Sequence, residues 1–318
     1  MKEKKKIRFI ANPRSGANRR RNLPQLIADN LDHDLFDHEL CYTERAGHAI
    51  ELAKAGVELG FDLVVACGGD GSVNEISSQL IGANAVLGVL PAGSGNGFAG
   101  HLGLGRDVAK AIRHLNDGIP ISIDTCTLNG QHFVNLAGVG FDGAVAKHLH
   151  DSPVRGFWAY LKYTLEETFR YQSQRLAIQV DGVKIERSCF LVEVANAPIY
   201  GYGFSIVPQA NFTDGNLEVL LVKEAPKWRY VLESWRFLNR SFHKSPLAEC
   251  YSGKEVIITP AKPIGAHVDG EGFLLEGEAR FGIHPASLRV LVPRVYAEIL
   301  GGARNNPKPI LFPAKEGQ

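Results

Sequence analysis

Residues 61–80 read Phe-Asp-Leu-Val-Val-Ala-Cys-Gly-Gly-Asp-Gly-Ser-Val-Asn-Glu-Ile-Ser-Ser-Gln-Leu. Leu63 to Cys67 is an uninterrupted apolar run rich in β-branched residues, the pattern of a parallel strand buried on both faces. It stops at Gly68-Gly69-Asp70-Gly71, after which Val73, Ile76, Ser77 and Leu80 recur at helical spacing. A strand that passes through glycines directly into a helix brings unhindered backbone N–H groups and a positive helix end to one point, which suits a phosphate. An ordinary strand-to-helix turn needs only one glycine and a capping Ser or Asp. Three glycines around an Asp exceed that need.

The flanking segments repeat the theme. Ala85 to Leu90 is a second apolar run, followed by Pro91-Ala92-Gly93-Ser94-Gly95-Asn96-Gly97-Phe98. Two glycine-rich loops at the same strand end of an open sheet converge on one crevice. Upstream, Lys6 to Ala11 reads as a strand ended by Asn12-Pro13-Arg14-Ser15-Gly16. That turn either meets a nucleotide through Arg14, Ser15 and Gly16 or simply marks a change of direction. The run Arg19-Arg20-Arg21 reads as a solvated helix start. Phe36 to Thr43 gives another strand, and Ala46 to Leu59 a helix with Ile50, Ala53 and Val57 on one face. Thr43 at the junction takes the N-cap position by default. Val108 to Leu115 is a short amphipathic helix. The alternation of strand and helix predicts a parallel sheet with helices on both faces.

From Ile121 the punctuation becomes that of hairpins. Asn129-Gly130, Asp181-Gly182 and Asp214-Gly215 lie between runs such as Leu176 to Val180, Phe190 to Ala195 and Leu217 to Val222, which predicts an antiparallel, sandwich-like second domain. Gly138-Val-Gly-Phe-Asp-Gly143 matches a dinucleotide fingerprint in letters, but its setting reads as a tight bend. Two apolar stripes have helical spacing: Phe157, Leu161, Leu165 and Phe169, then Trp228, Val231, Trp235, Leu238 and Phe242. Such stripes ordinarily pack in the core. The second, flanked by Lys227, Arg229, Arg236, Arg240 and Lys244, also fits an anionic membrane surface. His148, His150 and Asp151 have no further ligand cluster beside them and read as surface residues. Near the end, His267-Val-Asp269-Gly270-Glu271-Gly272 sets two carboxylates two residues apart. In an extended chain both point to one side. One could then take a proton while the other orients it or binds a cation; an exposed acidic hairpin turn is the plain alternative.

Composition sets outer limits. The 318 residues suggest about two domains, and 45% hydrophobic with 22% charged residues is globular. A net charge of +1 predicts no general affinity for nucleic acid. No apolar run reaches the ~18 residues of a membrane span, and the basic start is followed by too broken an apolar stretch for a signal peptide. Five scattered cysteines without a CxxC pair predict free thiols in a cytoplasmic protein.

Taken together, these residues resemble the diacylglycerol kinase catalytic-domain family, in particular soluble bacterial lipid kinases and their sphingosine kinase relatives. The resemblance rests on Asn-Pro-x-Ser-Gly at 12–16, Gly-Gly-Asp-Gly-Ser-Val-Asn-Glu at 68–75, Gly-Ser-Gly-Asn at 93–96 and Asp-Gly-Glu at 269–271, in order. Gly-Gly-Asp-Gly alone is shared with NAD kinases and phosphofructokinases; the ordered set is specific. It implies a Rossmann-like α/β nucleotide domain over 1–122, with 299–318 returning to it, and an antiparallel β-sandwich lipid-substrate domain over 123–298. ATP would meet Asn12, Ser15, Gly16, Thr43, Gly68, Gly69, Asp70, Gly71, Ser72, Glu75, Gly93, Ser94 and Asn96. Asp70 would organise Mg²⁺ and phosphates, and either Asp269 or Glu271 would be the base. A structural cation would sit at Asp214 with carbonyls of Asn211 and Asn216. The partner would be a lipid acceptor at a membrane surface, met by a peripheral enzyme, and a homodimer is compatible with the family.

The sequence departs from the family in two places. Ser72 stands where Thr is common, and Asn96-Gly97-Phe98-Ala99-Gly100 stands where many bacterial diacylglycerol kinases have Asn-Asp-Phe-Ala-Arg. The second leans toward sphingosine kinases, so the acceptor stays open between diacylglycerol, a long-chain base and another lipid alcohol. An NAD kinase-like phosphotransferase and a nucleotide or lipid sensor without activity are the competing readings.

Overall fold

The computed structural model describes residues 3–15, 22–93, 95–151, 157–198 and 205–303. Gly16, Arg19 to Arg21, Ser94 and residues 304–318 lie outside the described residues, as do the side chains of His150, Asp151, Phe157 and Leu238.

The first half follows the strand–helix alternation: β1 (Lys5–Ala11), α1 (Leu23–Asn30), β2 (Phe36–Tyr42), α2 (His48–Glu58), β3 (Leu63–Gly68), α3 (Asp70–Leu80), β4 (Val86–Pro91), α4 (Gly97–His101) and α5 (Val108–Asp117). Strands β2, β1, β3 and β4 pair in parallel in that spatial order. Every residue of β3 and β4 is buried, which is why both read as continuous apolar runs. Of the face expected on helix α2, Ala53 is buried and Val57 packs against the core, while Ile50 is exposed and Ala49 and Gly56 turn inward. Gly56 lies against Val64 and the Arg8 side chain, so small residues let this helix approach the sheet closely.

The second half is mostly antiparallel: β5 (Ile119–Leu128), β6 (Gln131–Phe133), β7 (Leu136–Gly140), α6 (Phe141–Asp151), α7 (Phe157–Arg170), β8 (Gln174–Val180), β9 (Val183–Ala195), β10 (Leu217–Lys223), α8 (Lys227–Glu233), α9 (Trp235–Leu238), β11 (Ala248–Gly253), β12 (Glu255–Pro260), β13 (Ile264–Val268), β14 (Glu271–Leu275), β15 (Ala279–Val292) and α10 (Arg294–Ala303). The main strand path runs β14-β13-β7-β9-β8-β12-β15-β4-β3-β1-β2. Asn129-Gly130 and Asp181-Gly182 are two-residue hairpins with positive φ at both positions, the geometry these dipeptides favour. Asp214-Gly215 is not a hairpin: no strand directly precedes it among the described residues, and Gly215 donates its N–H to the Asp124 carboxylate, 2.7 Å away on β5.

Strand β15 joins the halves. Its first part pairs with β12 and β5, its register shifts between His284 and Leu288, and Val290 then pairs in parallel with Leu87 of β4. Buried Asp124 secures the bulge by accepting the Ala286 N–H at 2.7 Å. Leu288, Val290, Val292 and Tyr296 share a core with Ile10, Val64 and Leu87. The chain therefore rejoins the first half along β15, earlier than the expected return at residue 299.

The 138–143 glycines also differ from expectation. Strand β7 passes directly into α6, so the segment is a strand-to-helix passage rather than a bend in a hairpin. Side chains on Gly143, Gly265 and Gly272 would collide with backbone across the seam between α6 and strands β13 and β14. The glycines thus let a helix backbone lie directly on strand backbones. The stripe at Trp228–Phe242 is broken at Ser234 into α8 and α9, and Phe242 is buried in a following 3₁₀ turn.

Candidate active site

Helix α3 begins at Asp70, directly after β3, and its N-cap is Gly69, which offers no side chain to the first-turn N–H groups. Those donors and the helix dipole face the crevice. The second loop closes on the first at van der Waals range. A side chain on Gly93 would overlap the Cα of Gly69 and stand 2.8 Å from its nitrogen. Asn96, in the left-handed region at φ 50°, clamps its own loop: Oδ1 accepts the Gly93 N–H at 2.8 Å and Nδ2 donates to the Gly93 carbonyl at 2.7 Å. The hydroxyl of Ser15 lies 3.6 Å from where a Gly68 side chain would begin, so the first turn reaches the same point.

Asp70 ties the two loops together. Its carboxylate accepts the N–H groups of Gly97 at 3.0 Å and Phe98 at 2.9 Å. Burial pushes its carboxyl above the ordinary range, partly offset by these bonds. The expected metal-organising carboxylate is thus already engaged as a backbone clasp. Asn12 is likewise engaged, accepting the Arg14 N–H at 2.8 Å. Thr43 is not an N-cap, because α2 starts later, with Gly47 capping; Thr43 donates its N–H to the Ala11 carbonyl at 2.9 Å, at the end of β1. Glu75 is half-buried. Burial raises its pKa, a hydrogen bond from the Gly47 N–H lowers it, and the negative charge of Glu271 raises it again.

The acidic turn arrives from the other half. Asp269 and Gly270 have φ of 47° and 88°, so the segment is a two-residue hairpin between β13 and β14. The chain is therefore not extended through the turn, the condition for both carboxylates to point to one side, and the hairpin of the plain alternative is what forms. Asp269 turns inward: Oδ1 accepts the N–H groups of Asn135 at 2.9 Å and Leu136 at 3.1 Å, and Oδ2 accepts those of Val134 at 3.0 Å and the Asn74 amide at 2.8 Å. Burial raises its pKa against these four donors. Glu271 turns outward, and its Oε1 lies 3.4 Å from where a Gly71 side chain would begin. The geometry separates a fastener from an exposed carboxylate at the glycine crevice.

Sequence reasoning assigned no partner to Asn74. This residue also donates to the His132 carbonyl at 2.9 Å, so α3 is stitched to both β6 and the acidic turn. The outlying segment at 211–216 is internally bonded: Asp214 Oδ1 accepts the Asn216 N–H at 3.0 Å, and Asn211 Oδ1 accepts the Thr213 N–H and hydroxyl at 3.2 and 2.9 Å. Burial raises the Asp214 pKa, and the neighbouring Asp124 adds to this.

A largely apolar cavity of about 400 Å³ lies in the second half, behind Phe141 and Asp142. Its floor includes Phe190, stacked between Phe141 and Tyr230 at centroid distances of 4.4 and 4.0 Å. Leu161, Leu165 and Val231 line it, yet are 38%, 47% and 43% exposed, so the cavity opens between α7 and α8. Trp228 and Leu232 on α8 and Trp235 on α9 are also exposed, at 61%, 61% and 51%. Neither stripe is therefore a plain core stripe. Among the described residues no helix is long and apolar enough to cross a membrane.

Two family models match the chain in succession. One, described as the diacylglycerol kinase catalytic domain, matches residues 6–128. The other, described as the YegS C-terminal NAD kinase beta sandwich-like domain, matches residues 135–292. A diacylglycerol kinase of Bacillus subtilis is 28% identical over 307 residues, covering 93% of this chain and 99% of that protein. A YegS-like probable lipid kinase of Chromohalobacter salexigens is 34% identical over 188 residues, covering 57% of this chain and 60% of that protein. The crystal structure of a diacylglycerol kinase from Bacillus anthracis superposes with a TM-score of 0.69 at 19% identity, covering 93% of this chain and 99% of the other.

Proposed function

The chain belongs to the diacylglycerol kinase catalytic-domain family, and from that premise we propose that it is a lipid kinase that phosphorylates the hydroxyl of a membrane lipid with Glu271 as the base. The observation that carries the assignment of the base is the contrast at the acidic turn. Asp269 has both oxygens committed to four N–H donors, while Glu271 is exposed and faces Gly71.

The residues present fit ATP: the uncapped start of α3 and the side-chain-free contact of Gly69 with Gly93 form a cradle that any Cβ would fill. Bound there, ATP supplies the phosphoryl group. The α3 N–H groups and Ser72 would hold its phosphates, and Asn12, Ser15, Gly16, Thr43, Ser94 and Glu75 would border the nucleotide. Glu271 would accept the proton of the lipid hydroxyl. Phosphoryl transfer depends chiefly on positioning and charge neutralisation, so Asp70 would serve by locking the two loops. Mg²⁺ prefers hard oxygen donors. The oxygen-rich turn of Asp214, Asn211 and Asn216 fits that preference, and a cation there would relieve the repulsion between Asp214 and Asp124.

The cavity supports a lipid acceptor. Its volume is at the small end of ligand pockets, about 300–1,000 Å³, and its apolar lining suits an acyl or alkyl chain. Each methylene moved from water into such a site gains about 0.8 kcal/mol. The exposed Trp228 and Trp235, with Lys227, Arg229 and Arg236 nearby, would rest on an anionic bilayer and present the cavity mouth to it.

The test is transfer of labelled phosphate from ATP to diacylglycerol, monoacylglycerol, sphingosine, ceramide and a polyprenol in mixed micelles, with NAD as a soluble control. Label on one or more lipids is expected. Label on NAD alone would move the chain to the competing phosphotransferase reading. ATP binding with no transfer to any acceptor would favour a sensor.

A further inference from the structure

One cluster of ionisable groups lies outside the glycine crevice and the acidic turn, sharing only Asp142 with the cavity. His267 on β13, Gly138 on β7 and Glu193 on β9 occupy one row across three adjacent strands. A side chain on Gly138 would stand 2.6 Å from the Glu193 carboxylate, so the glycine opens a slot through which His267 reaches across β7. His267 Nε2 lies 3.2 Å from both Glu193 oxygens and 3.3 Å from Asp142 Oδ2, in the first turn of α6. His267 and Glu193 are fully buried, and Asp142 is 5% exposed.

Three ionisable groups in a dry interior are costly unless their charges cancel. Burial alone would push His267 down, but the two carboxylates outweigh it and hold the imidazole protonated. Burial pushes Glu193 up, opposed by His267, while the neighbouring Asp142 raises it further, and the two carboxyl groups are hydrogen-bonded to each other. An imidazolium with one proton shared between two carboxylates is a neutral set.

Its position gives this proton a consequence. His267 lies two residues before Asp269 on the strand that ends in the acidic turn. Asp142 belongs to the helix whose backbone rides on Gly265 and Gly272, on either side of that turn. With no side chain cushioning the seam, a shift of α6 against β13 would bear on Gly272, next to Glu271. Asp142 also lines the apolar cavity.

We propose that the Asp142–Glu193–His267 cluster is a proton-dependent positioning device for the acidic turn, holding Glu271 at the glycine crevice while the shared proton is in place. The proposal rests on the reading of Glu271 as the base. Within the cluster, Glu193 and Asp142 act on His267, and His267 and Asp142 act on Glu193. Leu220 of β10 pairs with Glu193 from the far side, and β7 contributes only Leu136 to Gly140 between them. Both Glu193 and His267 are raised, so the stabilisation they give is complete at low pH and is lost as pH rises through their folded values. The device therefore releases on the alkaline side, whereas a carboxylate base fails on the acid side.

The experiment is the pH dependence of kcat, with a short-chain acceptor that needs no bilayer, for wild type, Glu193→Gln and Glu271→Gln. Glu193→Gln removes the carboxyl that gives up the shared proton and leaves the imidazolium paired with Asp142 alone, so its alkaline limb should be displaced by at least one pH unit from that of wild type, with an unchanged KM for ATP. A folded Glu193→Gln with the wild-type alkaline limb would overturn the proposal and point to packing alone. Full activity in Glu271→Gln would instead overturn the base assignment, leaving the alkaline comparison to judge the cluster. Should Glu193→Gln not fold, NMR of the His267 imidazole in wild type decides: a charged ring at pH 8 is expected, and a neutral ring at pH 7 would overturn the proposal.

Discussion

The glycine crevice and the half that carries the acidic turn and the apolar cavity are built in opposite ways. The first consists of two short, contiguous segments, 68–75 and 93–98, whose parts are chiefly backbone: an uncapped helix start, two glycines in contact and Asn96 bonded to its own loop. The second is made of side chains drawn from distant parts of the chain. Asp269 is held from 134–136 and from Asn74, and the cavity draws on α6, α7, α8 and the strands between them. Backbone sites tolerate no added volume but depend little on which side chains surround them. Side-chain sites behave the other way round.

Gly93→Ala should break the glycine crevice with the largest effect. The added methyl overlaps backbone, where no rotamer change can relieve it, and overpacking of this kind costs about 1–3 kcal/mol. If the loops part to accommodate it, thermal stabilisation by ATP should be lost while the second half stays folded. Retention of wild-type ATP stabilisation would show that the loops are not in contact in solution. In the other half a smaller, more selective change is expected. Replacing Trp228 and Trp235 together with Ala should weaken binding to anionic vesicles several-fold, with activity on a dispersed short-chain acceptor unchanged. Equal loss on both acceptors would mean that the Trp pair supports the fold rather than the membrane.

The same contrast explains what could be read from the chain. The glycine loops, the parallel strands β3 and β4 and the two Asx-Gly hairpins were legible because each depends on local rules of φ and burial. The inward position of Ala49 and Gly56 on α2 was not, because close approach to the sheet favoured small residues over the larger Ile50. The 138–143 glycines misled because each serves a distant contact: Gly138 faces Glu193, Gly140 faces the backbone of β9, and Gly143 lies in a helix–strand seam completed by Gly265 and Gly272. For the same reason the His267–Glu193 contact was invisible. Nothing local marks Gly138 as a slot between strands. The sequence separated the Asp269–Glu271 pair from its surroundings but not its members, since their roles depend on a left-handed turn and on donors near residue 135.

The central claim is that division of labour. Glu271→Gln and Asp269→Asn should be compared for kcat on the preferred lipid, ATP stabilisation and melting temperature. Glu271→Gln is expected to lower kcat by about 10²–10⁴-fold, with melting temperature and ATP binding unchanged. Asp269→Asn should lower the melting temperature, since hydrogen bonds to a charged group are worth about 1.5–3 kcal/mol, and reduce kcat less. A Glu271→Gln enzyme with full turnover, beside a stable but inactive Asp269→Asn enzyme, would contradict the account and transfer the base to Asp269.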